Sequence, residues 1–131
     1  MLTSIGKLVY SPRTHLASSE KWAILSCDDE IGRYYRHLFS IENKYLNGAY
    51  PNRINRAVWG SHISFLRNEH PKDWGIDANK IIEFSYEPGV QTNGIYFWLR
   101  VSCPRLLDLR QKYGLPREPR FGLHLTIGRS Q

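Results

Sequence analysis

One nine-residue phrase occurs twice in this chain and limits how the chain can fold. Residues 59–67 read WGSHISFLR, and 62 positions later residues 121–129 read FGLHLTIGR. Each copy consists of an aromatic residue, Gly, any residue, His, Ile or Leu, Ser or Thr, an apolar residue, any residue and Arg. With 131 residues and 41% hydrophobic content, the chain is long enough to form one hydrophobic core but too short for two well-packed domains. The repeat therefore predicts a single domain, residues 1–131, built from two related halves.

The elements predicted around the two phrases follow the same order in both halves. Apolar runs, helical periodicity, capping residues and turn residues predict the following segments. They are strands at 7–10 and 21–27, a helix from Asp28 or Asp29 to about Asn47, a strand from His62 to Arg67, a hairpin of strands at 80–87 and 95–102, a helix from Pro104 to about Gly114, and a strand at 122–128. We expect a duplicated α+β fold with mainly antiparallel strands, outer helices, and the two phrase strands side by side at a pseudo-twofold axis.

Side chains alternate along a strand, so each phrase strand has one polar and one apolar face. The polar faces carry a histidine and a hydroxyl each, namely His62 with Ser64 and His124 with Thr126. The apolar side chains between them are expected in the core. Two imidazoles and two hydroxyls would then meet on the polar side.

Such a meeting of groups suits attack on a phosphodiester. One neutral imidazole can take a proton from the attacking hydroxyl while the other, protonated, gives one to the departing oxygen. Ser64 and Thr126 can donate hydrogen bonds to the phosphoryl oxygens as their negative charge grows. A single H-x-[ST] strand would more often be structural, but two copies with matching Gly and Arg favour catalysis.

The other histidines and the two cysteines have no such pattern. His15, His37 and His70 have no partner at metal-ligand spacing, and Cys27 and Cys103 form no CxxC pair. We therefore predict no metal site and no cofactor.

The doubled pattern, HISF and HLTI, resembles that of the 2H phosphoesterase superfamily, over about residues 6–129. The phrases GKLVYSP, GRYYRHLFS, CPRLLDLRQKYGLP and LHLTIGR are similar to the anti-CBASS phosphodiesterases of tailed bacteriophages, which degrade the cyclic oligonucleotide messengers of a bacterial defence system. The resemblance implies a bilobal duplicated 2H fold with a central cleft, its lobes at about 15–70 and 90–131. It also implies that His62 and His124 are acid and base, and that Ser64 and Thr126 bind the phosphate.

By the same resemblance, the nucleophile is a 2′-hydroxyl of the substrate, which attacks the adjacent 3′-phosphodiester without a metal ion. The expected substrate is a cyclic dinucleotide or trinucleotide such as cGAMP. The net charge of +6 agrees with an anionic ligand. We expect no stable complex with nucleic acid, no membrane association, and a location in the cytoplasm of an infected bacterial host.

Substrate-binding residues have no motif of their own. Aromatic rings can stack on nucleobases, and loop arginines can steer an anion, so the candidates are Tyr10, Tyr50, Trp59, Trp74, Arg53 and Arg56. We predict that Trp22 and Trp98 belong to the core. Arg67 and Arg129 lie five residues after their histidines, so alternation predicts the opposite face unless the strand bulges.

Two other functions fit the same residues. One is a 2H enzyme that acts on the terminal 2′,3′-cyclic phosphate of RNA. The other is a non-enzymatic protein that sequesters cyclic nucleotides and would release its ligand intact.

Overall fold

The computed structural model describes residues 1–10, 21–43, 54–72 and 78–130. The elements in chain order are β1 (Leu2–Tyr10), β2 (Lys21–Cys27), α1 (Asp29–Glu42), β3 (His62–Glu69), β4 (Ile81–Thr92), β5 (Tyr96–Ser102), α2 (Pro104–Lys112) and β6 (His124–Arg129). The order strand, strand, helix, strand occurs twice, as the sequence predicts. Among the described residues, no helix is long and apolar enough to cross a membrane.

The strands form one closed antiparallel barrel in the order β1-β2-β3-β6-β5-β4. The expected duplicated bilobal α+β fold with a central cleft is therefore wrong, because strands of both halves join in a single continuous sheet. The cause is the length of β1, for which the sequence predicted only residues 7–10. The additional residues of β1, together with Lys7, pair with β4 from Leu2 opposite Tyr86 to Lys7 opposite Ile81, and this pairing closes the sheet. The division into lobes at 15–70 and 90–131 stays a prediction.

The two helices begin as the sequence predicts. Asp28 caps α1, since its carboxylate accepts a hydrogen bond of 3.0 Å from the backbone N–H of Glu30. Pro104 occupies the first turn of α2, where the missing N–H costs nothing. Gly114, with φ of +79°, follows the end of α2 in the left-handed conformation that glycine readily adopts.

The hairpin between β4 and β5 differs from the expected one. Strand β4 continues past Pro88 to Thr92, and the turn is formed by residues 93–95 rather than 88–94. A register shift between Tyr86 and Val90 accommodates the proline in the strand. Asn93 fixes the turn, because its side-chain oxygen accepts hydrogen bonds from the backbone N–H groups of Ile95 and Tyr96 at 3.0 and 2.8 Å.

The hydrophobic core forms between the apolar face of the strands and the two helices. Ile63 and Phe65 of β3 and Leu125 and Ile127 of β6 are fully buried. The same cluster contains helix residues, including Tyr35, Phe39 and Leu106. The opposite face of β3 and β6 is thereby left for the polar side chains.

Candidate active site

The two motif strands, β3 and β6, are hydrogen-bonded neighbours in the barrel. His62 lies opposite Thr126, and Ile63 lies opposite Leu125. Continuing this antiparallel register sets Ser64 opposite His124, so the four polar residues lie on one face of two adjacent strands. The prediction that the motif strands lie side by side with their polar residues together is confirmed. We call this surface the histidine face.

His62 is held by the turn that leads into β3. Its Nδ1 lies 2.7 Å from the carbonyl oxygen of Gly60, and since a carbonyl can only accept, Nδ1 carries the proton. In the neutral ring the lone pair is then on Nε2. Gly60 has φ of +68°, a conformation that suits glycine, and this geometry aims its carbonyl at the ring. The ring of Trp59 packs on the imidazole at 5.3 Å between centroids.

Asp29 connects this turn to the start of α1. Its Oδ1 accepts hydrogen bonds from the backbone N–H and the hydroxyl of Ser61 at 3.0 and 3.3 Å. Its Oδ2 pairs with Nε of Arg56 at 2.5 Å. Burial raises the pKa of Asp29, but the bonds from Arg56 and Ser61 outweigh burial and lower it overall. Arg56 therefore supports the turn before His62, and a role in steering substrate stays a prediction.

His124 has a different environment. Its Nε2 lies 3.3 Å from Nη2 of Arg67, and because a guanidinium only donates, Nε2 is the acceptor. The indole of Trp98 packs against the imidazole at 5.7 Å between centroids. Burial, followed by the charges of Arg67 and His62, lowers the pKa of His124 to about 4. The imidazole is thus neutral near pH 7 in the free protein.

The pKa of His62 is also lowered, but by effects that act in opposite directions. Burial lowers it, the hydrogen bond to Gly60 raises it, and the charge of Arg67 lowers it. A bond to a carbonyl stabilises the imidazolium, whereas a bond from a guanidinium opposes it. Of the two imidazoles, that of His62 therefore binds a proton more readily than that of His124.

Alternation predicted that Arg67 and Arg129 lie on the face opposite the histidines unless the strands bulge. Both strands bulge, and both arginines lie on the histidine face. In β3 the register shifts by one residue between Ser64 and Leu66, and in β6 it shifts by one residue between Thr126 and Gly128. Each extra residue is an apolar one in the core, so alternation restarts and the following arginine returns to the histidine face. The consecutive apolar residues in SFLR are the signal that could have indicated the bulge in β3.

The predicted core positions of Trp22 and Trp98 are also wrong. Both are only half-buried and lie outside the core cluster. Trp98 is paired with Thr126 across the sheet, and Trp22 packs edge-on against Trp59 at 5.5 Å between centroids. Each histidine therefore has a tryptophan beside it, Trp59 at His62 and Trp98 at His124.

The other substrate-binding candidates divide into two groups. Tyr10, expected to be an exposed stacking residue, instead packs on the core, with its ring 6.4 Å from that of Phe65 and its hydroxyl bonded to that of Tyr113. The strand continues to Tyr10, so the Ser-Pro break comes too late to expose it. Tyr50, Arg53 and Trp74 lie outside the described residues.

The histidine face offers few ligands for a metal ion. Among residues 1–10, 21–43, 54–72 and 78–130, no three His, Cys, Asp or Glu side chains are grouped to hold one. The polar side chains on this face are the two imidazoles and the hydroxyls of Ser64 and Thr126.

Comparison of the chain with protein-family models, curated proteins and solved structures found no match.

Proposed function

We propose that this chain is a metal-independent phosphodiesterase that cleaves cyclic oligonucleotides by attack of a ribose 2′-hydroxyl on the adjacent 3′-phosphodiester. The observation that carries the proposal is the placement of His62 and His124 on one face of two hydrogen-bonded strands, each with a hydroxyl two residues later. Acid and base catalysis on a phosphodiester needs two groups of this kind on either side of the phosphorus.

The contacts of the two imidazoles support different roles for them. His62, whose Nδ1–H is bonded to the carbonyl of Gly60, takes the proton more readily and acts as the acid. His124 remains neutral and acts as the base once Nε2 is free of Arg67.

In the proposed reaction one histidine gains a proton and the other loses one. Nε2 of His124 takes the 2′-hydroxyl proton as the 2′ oxygen bonds to phosphorus, and Nε2 of His62 gives its proton to the departing 5′ oxygen. The products are a linear oligonucleotide with a 2′,3′-cyclic phosphate and a free 5′-hydroxyl. In this proposal Ser64 and Thr126, which are 4% and 8% exposed, donate hydrogen bonds to the non-bridging oxygens.

The tryptophans support a substrate with more than one base. Trp59 and Trp98 are half-buried and lie beside different histidines, so two bases on either side of one phosphate could each meet an indole. Cyclic dinucleotides and trinucleotides have this arrangement of base, phosphate and base. The proposed biological role is removal of such defence messengers in the cytoplasm of a phage-infected bacterium.

The test is incubation of the purified protein with EDTA and a set of 3′,5′-linked cyclic dinucleotides, including one 2′-deoxy analogue. We expect linear products from the ribonucleotides and none from the deoxy analogue. His62→Ala and His124→Ala should be inactive. His37→Ala is the matched control, because His37 is an exposed histidine of α1.

Two results would overturn the proposal. Cleavage of the deoxy analogue would exclude 2′-hydroxyl attack. Recovery of every ligand intact after denaturation would exclude catalysis on this substrate class and favour a sequestering protein.

A further inference from the structure

The bulge in β3 is supported by a buried arginine of α2. The register between β2 and β3 shifts at Phe65, which is the extra residue of β3. Nη1 of Arg110 donates a hydrogen bond of 2.8 Å to the carbonyl oxygen of Phe65. Loss of a bond to a buried carbonyl costs free energy, so this contact stabilises the bulge. The bulge in turn determines that Arg67 lies on the histidine face.

The same guanidinium holds a carboxylate at the end of β3. Arg110 is 1% exposed, and its Nη1 and Nη2 donate to the two carboxylate oxygens of Glu69 at 2.6 and 2.9 Å. Its Nε donates to the carbonyl oxygen of Pro116 at 2.9 Å. Burial raises the pKa of Glu69, but the hydrogen bonds from Arg110 outweigh burial and lower the pKa overall. Two parallel bonds of this kind fix the orientation of a charged carboxylate.

Glu69 acts in turn on Arg67. Its Oε1 accepts a hydrogen bond of 3.1 Å from the backbone N–H of Arg67. Burial lowers the pKa of the Arg67 guanidinium, and the negative charge of Glu69 opposes that effect. Nη2 of this guanidinium lies 3.3 Å from Nε2 of His124. A continuous series of contacts therefore connects α2 with His124.

We propose that Arg110 and Glu69 are positioning residues, which hold the guanidinium of Arg67 against Nε2 of His124. Their action on His124 passes through Arg67, because Arg67 is the residue of this series that contacts the imidazole. The role of the held imidazole as a base rests on the proposed function. A guanidinium at Nε2 keeps the ring neutral and oriented until the substrate takes its place. Both positioning residues lie outside the repeated phrase, which is why the phrase did not indicate them.

Neutralising Glu69 has opposite effects on His124 under two explanations. A carboxylate that acted only by its charge would favour the imidazolium, so its removal would lower the pKa of His124. If the carboxylate holds Arg67, its removal lets the guanidinium leave the ring, and the pKa of His124 rises. The other charged or titratable groups near this contact are His62 on β3, Arg100 opposite His124 on β5, and Arg120 before β6.

NMR of the protein labelled with ¹⁵N at histidine measures the pKa of His124 without any catalysis. We expect Glu69→Gln to raise this pKa from about 4 toward its ordinary value of 6.5. Arg67→Gln should also raise it, because the charge beside the ring is removed. Glu30→Gln is the matched control and should leave the pKa unchanged, since it removes a carboxylate from an exposed pair with Arg33 on α1.

A double variant separates positioning from general loosening of the structure. If Glu69 acts through Arg67, adding Glu69→Gln to the Arg67→Gln protein should leave the pKa of His124 at the value of Arg67→Gln alone. A further rise in the double variant would show that Glu69→Gln exposes the ring by another route, and it would overturn the proposal.

Two conservative variants keep the test decisive if Glu69→Gln does not fold. Glu69→Asp retains the charge on a shorter side chain, and Arg110→Lys retains the charge but loses the fork that holds Glu69. Each should raise the pKa of His124 in a protein with a native circular dichroism spectrum. A pKa of His124 that falls, or stays at the wild-type value, in the folded Glu69 and Arg110 variants would overturn the proposal.

The outcome is separate from that of the cyclic dinucleotide assay. The acid limb of kcat/KM reports the base of the free enzyme, so it should move to higher pH in the Glu69 variants. A rise in the pKa of His124 that depends on Arg67, with no cyclic dinucleotide cleaved by the wild type, would support the positioning role and remove the proposed function. Cleavage by the wild type, with a pKa of His124 that is indifferent to Glu69, would have the reverse meaning.

Discussion

Arg67 donates a hydrogen bond from Nη2 to Nε2 of His124, and the two residues come from different copies of the repeated phrase. The other histidine, His62, has different contacts, since its Nδ1–H donates to the carbonyl of Gly60. Both neutral rings carry their proton on Nδ1, but the two histidines differ in which nitrogen is engaged and in how readily they accept a second proton. In the proposed reaction this difference makes His62 the acid and His124 the base.

The first prediction uses the leaving group to separate the acid from the base. A ribonucleoside 3′-(4-nitrophenyl phosphate) releases nitrophenolate, which needs no proton. On a cyclic dinucleotide, His62→Ala and His124→Ala should each lower kcat/KM by about 10²- to 10⁴-fold, the usual contribution of acid or base catalysis. On the nitrophenyl ester, His62→Ala should stay within about tenfold of wild type, while His124→Ala remains impaired, because a base is still required.

His37→Ala is the control for both substrates and should retain wild-type rates. The reverse pattern, with His124→Ala rescued by the nitrophenyl ester, would exchange the roles of the two histidines. Equal loss by both variants on both substrates would contradict the division into acid and base.

The second prediction concerns stability and pH. Burial and the charge of Arg67 lower the pKa of His124 from 6.5 to about 4, so between these values the unfolded chain binds more protons than the folded one. The free energy of unfolding should therefore fall as pH falls from 6.5 toward 4. His124→Gln, which does not titrate, should reduce this loss by on the order of 1 kcal/mol, allowing for the partial exposure of the ring.

Urea unfolding of both proteins at about pH 7 and pH 4.5 measures the difference. The quantity to compare is the change in unfolding free energy between the two pH values, since the substitution also removes a contact at every pH. An identical pH dependence in wild type and variant would contradict the lowered pKa.

The sequence predicted the local geometry of the site well because that geometry depends on short-range rules. Alternation along a strand is sufficient to assign His62, Ser64, His124 and Thr126 to one face, and a repeated phrase is sufficient to pair the two strands. The closure of the barrel depends instead on pairing between β1 and β4, which are distant in sequence. Nothing in the short run KLVY indicates that its strand begins at Leu2.

Bulges and burial account for the residues whose positions differ from simple expectation. Arg67 and Arg129 were expected on the opposite face unless their strands bulged, and both strands do bulge. Trp98 was assigned to the core on size and hydrophobicity alone. Bulges change the face of every residue after them. The consecutive apolar residues Phe65 and Leu66, both fully buried, are the visible trace of one bulge.

The third prediction compares the two glycines that precede the histidines. Gly60 and Gly122 have nearly equal φ values of +68° and +69°, but their surroundings differ. An added Cβ at Gly122 meets no atom within 4 Å, whereas at Gly60 it would lie 2.9 Å from Arg56 and 3.1 Å from Asp29. Gly122→Ala should cost about 1 kcal/mol from the backbone alone, and Gly60→Ala about 1 kcal/mol more.

Thermal or urea unfolding gives the two costs, and the cyclic dinucleotide assay gives the activities. Gly60→Ala should lose more activity than Gly122→Ala, because the carbonyl of Gly60 orients His62. Equal effects of the two substitutions on stability and activity would show that the contacts of Arg56 and Asp29 around Gly60 have no energetic importance.

The last prediction concerns the two tryptophans beside the histidines. If each indole of Trp59 and Trp98 stacks on one base of the substrate, its loss should cost roughly 1–3 kcal/mol of binding, which is about a 5- to 150-fold rise in Kd. Trp59→Phe and Trp98→Phe retain a ring and should lose less binding affinity than the alanine variants.

Binding is measured on the His62→Ala background, so that the cyclic dinucleotide stays intact during the titration. Tyr34→Ala is the control, since Tyr34 is an exposed aromatic residue of α1. Alanine variants that bind the cyclic dinucleotide as tightly as the control would show that the bases lie elsewhere.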